Sequence, residues 1–319
     1  MEKAISDISI KKVALGNTGI YVSNIGIGTL PFASYRGDRK DISSLIEYAH
    51  NVGINLFDTA EIYENYKLLG KALKSYPNAI LIYKSYAVTR QDIEESILKA
   101  RRELKRDIDI FLLHEQESIL TLRGHIEALE HLYKLKEKGD LRGIGISTHR
   151  ISGVEGAIEF GLDIVISIIN LTGLGISDGT REEMERVLAK CYKMGIGVIG
   201  MKILGGGHLL PRIKDALDYA RNLKFIHSYL IGVESIEELE LDIKLINGIS
   251  VEDRQLITKN LKEKHIEIEP WCTGCGVCID RCKQGAIKIV NGKAFVIREK
   301  CVLCSYCAQA CPDFSIKLV

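Results

Sequence analysis

Cysteine is almost missing from the first 270 residues of this 319-residue chain. Cys191 stands alone there, and the other eight cysteines lie between Cys272 and Cys311. That distribution excludes a disulfide scaffold with evenly spread bridges. It points instead to an ordinary domain followed by a short cysteine-ligated module. Long apolar runs are missing too: none approaches the roughly 18 residues that a membrane span needs. Residues Met1 to Asp7 offer neither an apolar core nor a small-residue cleavage site, so no secretory signal is expected and the cytoplasm is the expected compartment. Net charge is nearly absent, since 43 Lys+Arg against 42 Asp+Glu leave +1. This argues against nucleic acid as the main partner. What remains is ordinary globular usage, 46% hydrophobic and 27% charged, which excludes a disordered chain and a coiled coil.

Up to about residue 248, short apolar runs alternate with longer amphipathic segments. The runs, rich in Ile and Val, are Asn24–Gly28, Ile54–Thr59, Ala79–Lys84, Ile108–His114, Arg142–Ser147, Ile164–Asn170, Gly195–Met201 and Phe225–Gly232. A helical pattern follows each. Continuous apolar strands alternating with helices imply a parallel sheet covered on its outer face. Eight such units predict an α/β fold, a (β/α)8 TIM barrel, rather than an open doubly wound sheet. Before the first unit, Lys12–Leu15 and Ile20–Ser23 read as a hairpin plugging the barrel bottom. Ser235 and Glu238 read as a capping box that opens the eighth helix. The domain boundaries are drawn at 1–248 for the barrel, 249–268 for a helical linker and 269–319 for the cysteine module. Within the linker, Ser250–His265 reads as a helix long enough to run up the barrel wall. It would deliver the module beside the C-terminal strand ends.

In that module, Cys272, Cys275, Cys278 and Cys282 follow the spacing of Cys301, Cys304, Cys307 and Cys311, the last followed by Pro312. Three closely spaced thiolates wrap one iron–sulfur cube, and the fourth cysteine reaches the other cube. The expected sets are Cys272, Cys275, Cys278 and Cys311 for one 4Fe–4S cluster, and Cys301, Cys304, Cys307 and Cys282 for the other. Zinc prefers paired elements in tetrahedral sites and fits this spacing less well. The repeat extends past the ligands: the six residues from Gly285 echo the six from Phe314. The module resembles the bacterial two-cluster ferredoxins, with Lys283 where the second half has Pro312. The resemblance implies a ferredoxin-type α+β iron–sulfur domain.

The barrel carries its own chemistry. Asp58 and Tyr63 close the second strand, Lys84 ends the third and His114 ends the fourth. Catalytic groups of such barrels sit at C-terminal strand ends. A Tyr hydroxyl, with an ordinary pKa of about 10, donates a proton at neutral pH only with help. An adjacent lysine ammonium stabilises the tyrosinate. Asp58 would hold Lys84 charged, and His114 would orient a carbonyl by a hydrogen bond.

With the hairpin, Gly26, Gly28, Thr29, Phe57, Ala60, Leu112, Leu113, Gly143, Gly145 and Ser147, these residues make the barrel resemble the aldo-keto reductases. The resemblance implies a tetrad of Asp58, Tyr63, Lys84 and His114, with Tyr63 as proton donor. It implies hydride transfer between a nicotinamide cofactor and an aldehyde or ketone. Gly28, Thr29 and Asp58 are expected beside that cofactor, and Ser147 and Thr148 on its carboxamide. Thr148 stands where Asn is usual, Ile166 where Gln is usual, and Met201 where an aromatic ring usually stacks. Lys202, Leu204, Gly205 and Gly206 match the loop over the pyrophosphate. The carboxylates Glu234, Glu237, Glu238 and Glu240 after the eighth strand favour NAD(H) over NADP(H).

The expected activity is thus reduction of a small carbonyl, with electrons from a nicotinamide, from the clusters or from both. An external electron carrier is a possible partner. The alternative is an electron-transfer protein whose barrel serves as a scaffold or partner-binding module.

Overall fold

A computed structural model describes residues 10–34, 42–249 and 264–319. A hairpin of β1 (Lys12–Ala14) and β2 (Tyr21–Ser23) opens the fold. Eight parallel strands follow: β3 (Ile25–Gly28), β4 (Leu56–Ala60), β5 (Ile80–Ser85), β6 (Ile110–Leu113), β7 (Gly143–Thr148), β8 (Ile164–Ile168), β9 (Gly197–Met201) and β10 (Ser228–Ile231). They pair in sequence order, and β10 pairs with β3, closing a barrel. All eight expected strands form, with ends displaced from the expected ones by up to three residues.

The strand sequences explain the barrel. In β5 all six residues are buried, because one face meets the barrel interior and the other meets helices. Side chains alternate between those faces. Leu56, Ile82, Ile110, Ile164 and Ile199 point inward and pack with Leu15, Ile20 and Val22 of the hairpin. Phe57, Tyr83, Phe111 and Ile146 point outward to the helical layer. The hairpin plugs the barrel bottom as expected. A Cβ on Gly16 would stand 2.4 Å from the Gly195 carbonyl oxygen, and its φ is +55°, so that close turn needs glycine.

The helices over the barrel are α1 (Ser43–Asn51), α2 (Tyr66–Ala72), α3 (Arg90–Leu104), α4 (Ile119–Gly124), α5 (Ile126–Glu137), α6 (Ile151–Glu159), α7 (Arg181–Lys193), α8 (Ile213–Asn222) and α9 (Ile236–Ile246). In α3 the buried stripe Ile93, Ile97, Ala100 and Leu104 follows the helical period. Thr89 and Asp92 cap its start reciprocally. The box expected at α9 is only half formed. The Ser235 hydroxyl accepts from the Glu238 N–H at 3.2 Å, but the Glu238 carboxylate accepts from the Glu234 N–H at 2.8 Å and pairs with Lys264 at 2.9 Å. Cys191 is buried in the core of α7, as its apolar neighbours imply.

The cysteine module contains β11 (Ile266–Ile268), α10 (Val277–Arg281), β12 (Ile287–Val290), β13 (Lys293–Val296), α11 (Tyr306–Ala310) and β14 (Ile316–Leu318). Strand β11 pairs antiparallel with β14, and β12 with β13. The expected helical linker over 249–268 is therefore corrected at its end. Ile266–Ile268 is a strand of the cysteine module, because it supplies the backbone partners that β14 needs. The wall helix expected over 250–265 falls mostly on residues outside the described ones.

The module docks at the C-terminal ends of the barrel strands. The Leu318 N–H donates to the Gly206 carbonyl at 2.9 Å. The His208 ring bridges the Ser305 hydroxyl at 2.7 Å and the Ile316 carbonyl at 2.9 Å. Phe314 is 1% exposed. A Cβ on Gly175 would stand 2.5 Å from its ring, so the ring packs closely where Gly175 has no side chain.

Candidate functional site

The end of β4 and the turn after it hold the first half of the site. Inward parity on β4 aims Asp58 into the barrel mouth, where it is 4% exposed. Its Oδ1 accepts from the Thr29 N–H at 3.2 Å, and its Oδ2 is ion-paired with the Lys84 ammonium. Asn65 supports this corner, donating to the Thr29 carbonyl at 3.1 Å and accepting from Thr59 at 2.7 Å. Tyr63 sits on a 3-10 turn, Glu61–Tyr63, that ends in Glu64 at φ +50°. Glu61 pins that turn by accepting from the Ser85 and Ser96 hydroxyls, both at 2.8 Å.

Lys84 reaches between the other two. Its ammonium contacts Asp58 and stands 5.2 Å from the Tyr63 ring centroid. Burial, and then the nearby Lys202 ammonium, push Lys84 down to about 7, with Glu115 opposing. The Asp58 carboxylate in contact works in the same direction as Glu115. His114 meets Tyr63 edge-on at 6.2 Å and stacks under Tyr86 at 4.7 Å. Burial takes its imidazole down to about 3, so it is neutral at ordinary pH. Its Nδ1 is buried with no hydrogen-bond partner among the described residues.

Asp58, Tyr63 and Lys84 line one large cleft, and His114 stands beside Tyr63 just outside that lining. The cleft encloses about 1220 Å³, counting solvent at its open side. Gly28, Met201, Lys202, Leu204 and Gly206 line it as expected, together with Glu234 and Glu238. Thr29 instead serves Asp58 from behind. Gly205 precedes the lining glycines at φ +60°.

Two expectations need correction. Thr148 is wholly buried, and its hydroxyl accepts from the Arg150 N–H at 3.0 Å. Parity decides this: Ser147 faces the barrel interior, so Thr148 must face the helices. It is not placed to hold a carboxamide. Ser147 keeps that possibility, although its oxygen already accepts from the Glu115 N–H at 3.1 Å. The second correction concerns Gly206 and Gly207. A Cβ there would meet Lys317 at 2.9 Å and the Leu318 carbonyl oxygen at 1.8 Å, respectively. The module's last strand, rather than a ligand, is what these glycines admit.

Several site residues escaped the sequence reading. Glu115 and His149 each lie one residue past a strand-end motif, where the barrel rule could have found them. Glu115 accepts from the Tyr86 hydroxyl at 2.6 Å, and His149 bonds the Lys202 ammonium at 2.9 Å. Lys317 of the module lines the cleft, and nothing in the sequence signals it.

The eight module thiols gather into two groups. Cys278 lies within electrostatic reach of Cys311, Cys272 and Cys275, and Cys307 within reach of Cys301, Cys304 and Cys282. Backbone N–H groups are aimed at the sulfurs: Ala286 at Cys282 at 3.2 Å, Ser315 at Cys311 at 3.3 Å and Ala294 at Cys272 at 3.5 Å. Such donors suit thiolates carrying the charge of a bound cluster, so the residues present fit two iron–sulfur clusters.

Residues 24–253 match the aldo/keto reductase family profile, and residues 255–316 match a 4Fe-4S dicluster domain. The chain belongs to the aldo/keto reductase family. It is an oxidoreductase by family, joined to an iron–sulfur domain. L-galactose dehydrogenase of Arabidopsis thaliana is 26% identical over 310 residues, covering 81% of this chain and 94% of that protein. A Glycine max aldo-keto reductase is 29% identical over 220 residues, 64% of this chain, and the match spans 62% of that relative's length. An aldo-keto reductase from Bacillus halodurans in its holo form has a TM-score of 0.64 at 20% identity, over 78% of this chain and 96% of that one. One from Brucella melitensis has a TM-score of 0.57 at 20% identity, over 79% and 98%. These structures share the barrel fold. No helix among the described residues is long and apolar enough to cross a membrane.

Proposed function

We propose that this aldo/keto reductase reduces a small aldehyde or ketone at the barrel mouth, with Tyr63 as proton donor. The observation that carries this reading is the convergence of Asp58, Lys84 and Tyr63 at one end of one cleft, with His114 beside Tyr63 just outside its lining. Asp58 holds the Lys84 ammonium against Tyr63. That ammonium stabilises the tyrosinate left when the Tyr63 hydroxyl gives its proton to the carbonyl oxygen. His114, neutral and edge-on to Tyr63 at 6.2 Å, is suited to orient that oxygen by one hydrogen bond. A nicotinamide dinucleotide, when bound, supplies a hydride. Gly28, Met201, Lys202 and Leu204 would hold it, with Ser147 on its carboxamide. Glu234 and Glu238 are suited to accept from ribose hydroxyls, which favours NAD(H), while Lys264, paired with Glu238 on the same wall, offsets their repulsion of a 2′-phosphate.

The two thiol sets, Cys272/Cys275/Cys278/Cys311 and Cys301/Cys304/Cys307/Cys282, would each hold one 4Fe–4S cluster. Clusters pass electrons singly, so this domain would exchange them with an external carrier. A reducing cytoplasm suits such thiolate-held clusters. The test is anaerobic turnover of a panel of aldehydes and ketones, with NADH, NADPH or chemically reduced clusters as donor. Carbonyl-dependent turnover supports the reading. No turnover of any carbonyl with any donor would leave the barrel a scaffold.

A further inference from the structure

Lys317 belongs to the cysteine module, yet it lines the barrel's cleft and is only 3% exposed. Its repeat counterpart, Lys288, is exposed on the module surface. Docking onto the barrel has therefore buried one of two equivalent lysines. Lys202, from the end of β9, lines the same cleft. Both ammonium groups lie on the Phe314 ring, Lys317 at 3.2 Å and Lys202 at 4.7 Å from its centroid.

Neither lysine has an ion pair among the described residues. The bonds they do make are to neutral groups: Lys317 donates to the Phe314 carbonyl, and Lys202 meets His149. Glu115 and Glu269 act on both only at a distance. Lys317 is buried and Lys202 half-buried, and two such cations without a carboxylate in contact are costly unless an anion joins them. Burial, and then the neighbouring Lys202, push Lys317 well below the ordinary lysine range. An arriving anion would restore its charge.

The rest of the cleft narrows the choice of anion. It offers Tyr63 and Lys84 at the reactive strand ends, and Glu234 and Glu238 after β10. A ligand that uses the whole lining needs a reactive end, an anionic centre and hydroxyl groups for the carboxylates. A nicotinamide dinucleotide has all three, whereas a small anionic carbonyl compound lacks the last. We propose that Lys317 of the iron–sulfur domain and Lys202 of the barrel form one phosphate-binding site, which holds the pyrophosphate of the dinucleotide across the domain boundary. The inference rests on the dinucleotide reading above and adds that the iron–sulfur domain is itself part of the cofactor site.

The test is calorimetric titration of the cluster-loaded protein with NADH and with ADP-ribose, which lacks the nicotinamide. Lys317→Met should weaken both by about tenfold or more, the scale of one lost charged hydrogen bond. Lys317→Arg should restore most of the loss. Iron content must match the unmodified protein in both variants, which shows that the module is intact. Equal NADH binding by Lys317→Met and the unmodified protein would overturn the inference and leave the dinucleotide reading standing. So would a loss confined to an anionic carbonyl substrate. An unmodified protein that binds neither NADH nor NADPH would overturn both.

Discussion

The internal repeat of the iron–sulfur domain supplies its own control for Phe314. Position 314 has φ +47° and its repeat partner, Gly285, has φ +57°. One half thus fills a left-handed site with glycine, and the other fills it with a bulky aromatic, an uncommon choice. The left-handed backbone costs a non-glycine residue about 1–2 kcal/mol. Burial of the ring against Gly175 and Gly206 offsets this. Removing a buried Phe ring typically costs about 3–5 kcal/mol. Phe314→Ala loses the ring and keeps the backbone cost, whereas Phe314→Gly loses the ring and releases it. Phe314→Gly should therefore be the more stable by about 1 kcal/mol, the reverse of the usual order of alanine and glycine. Gly285→Ala isolates the backbone effect, because nothing lies within 4 Å of a Cβ there. It should cost about 1 kcal/mol. Denaturant midpoints of the anaerobic, cluster-loaded proteins give the order. Phe314→Ala at or above Phe314→Gly, or a neutral Gly285→Ala, would refute the reasoning.

Other outcomes follow from the same structure. Anaerobic protein should contain about eight irons and eight labile sulfides per chain; stoichiometric zinc without sulfide would contradict this. Asp242 is buried, and burial, then Glu238, raise its carboxyl to about 8. Folded Asp242 thus binds a proton that the unfolded chain releases above about pH 4, so stability should fall as pH rises from there to about 8. Asp242→Asn should flatten that slope, and an unchanged slope in denaturant titrations would exclude the assignment. Lys84 is driven to about 7 by burial first, with Asp58 opposing. Reduction measured as kcat/KM should therefore fall with rising pH no sooner than about pH 7, and this limb should vanish in Lys84→Met. A limb that persists belongs to another group.

Much of the fold was legible because buried parallel strands announce themselves as unbroken apolar runs. Ile80–Ser85 is an example, with both faces covered. The proposed tetrad could be picked out because four chemically matched residues fell at successive strand ends. Thr148 shows a weakness of resemblance: side-chain parity from Ser147 already turned it toward the helices. Phe314 and Lys317 were not legible. The repeat equates them with Gly285 and Lys288, which are exposed on the module surface. Only the docking of β14 on Gly206 and Gly207, a contact between segments about a hundred residues apart in sequence, distinguishes the two halves.

The central claim is that the barrel mouth performs proton-coupled carbonyl reduction through Tyr63. The most direct measurement is turnover by Tyr63→Phe with its iron content and NADH affinity verified as unchanged. The account predicts a loss of about 10²-fold or more in kcat, the scale of general acid catalysis. Unchanged carbonyl reduction by this variant would place the chemistry elsewhere.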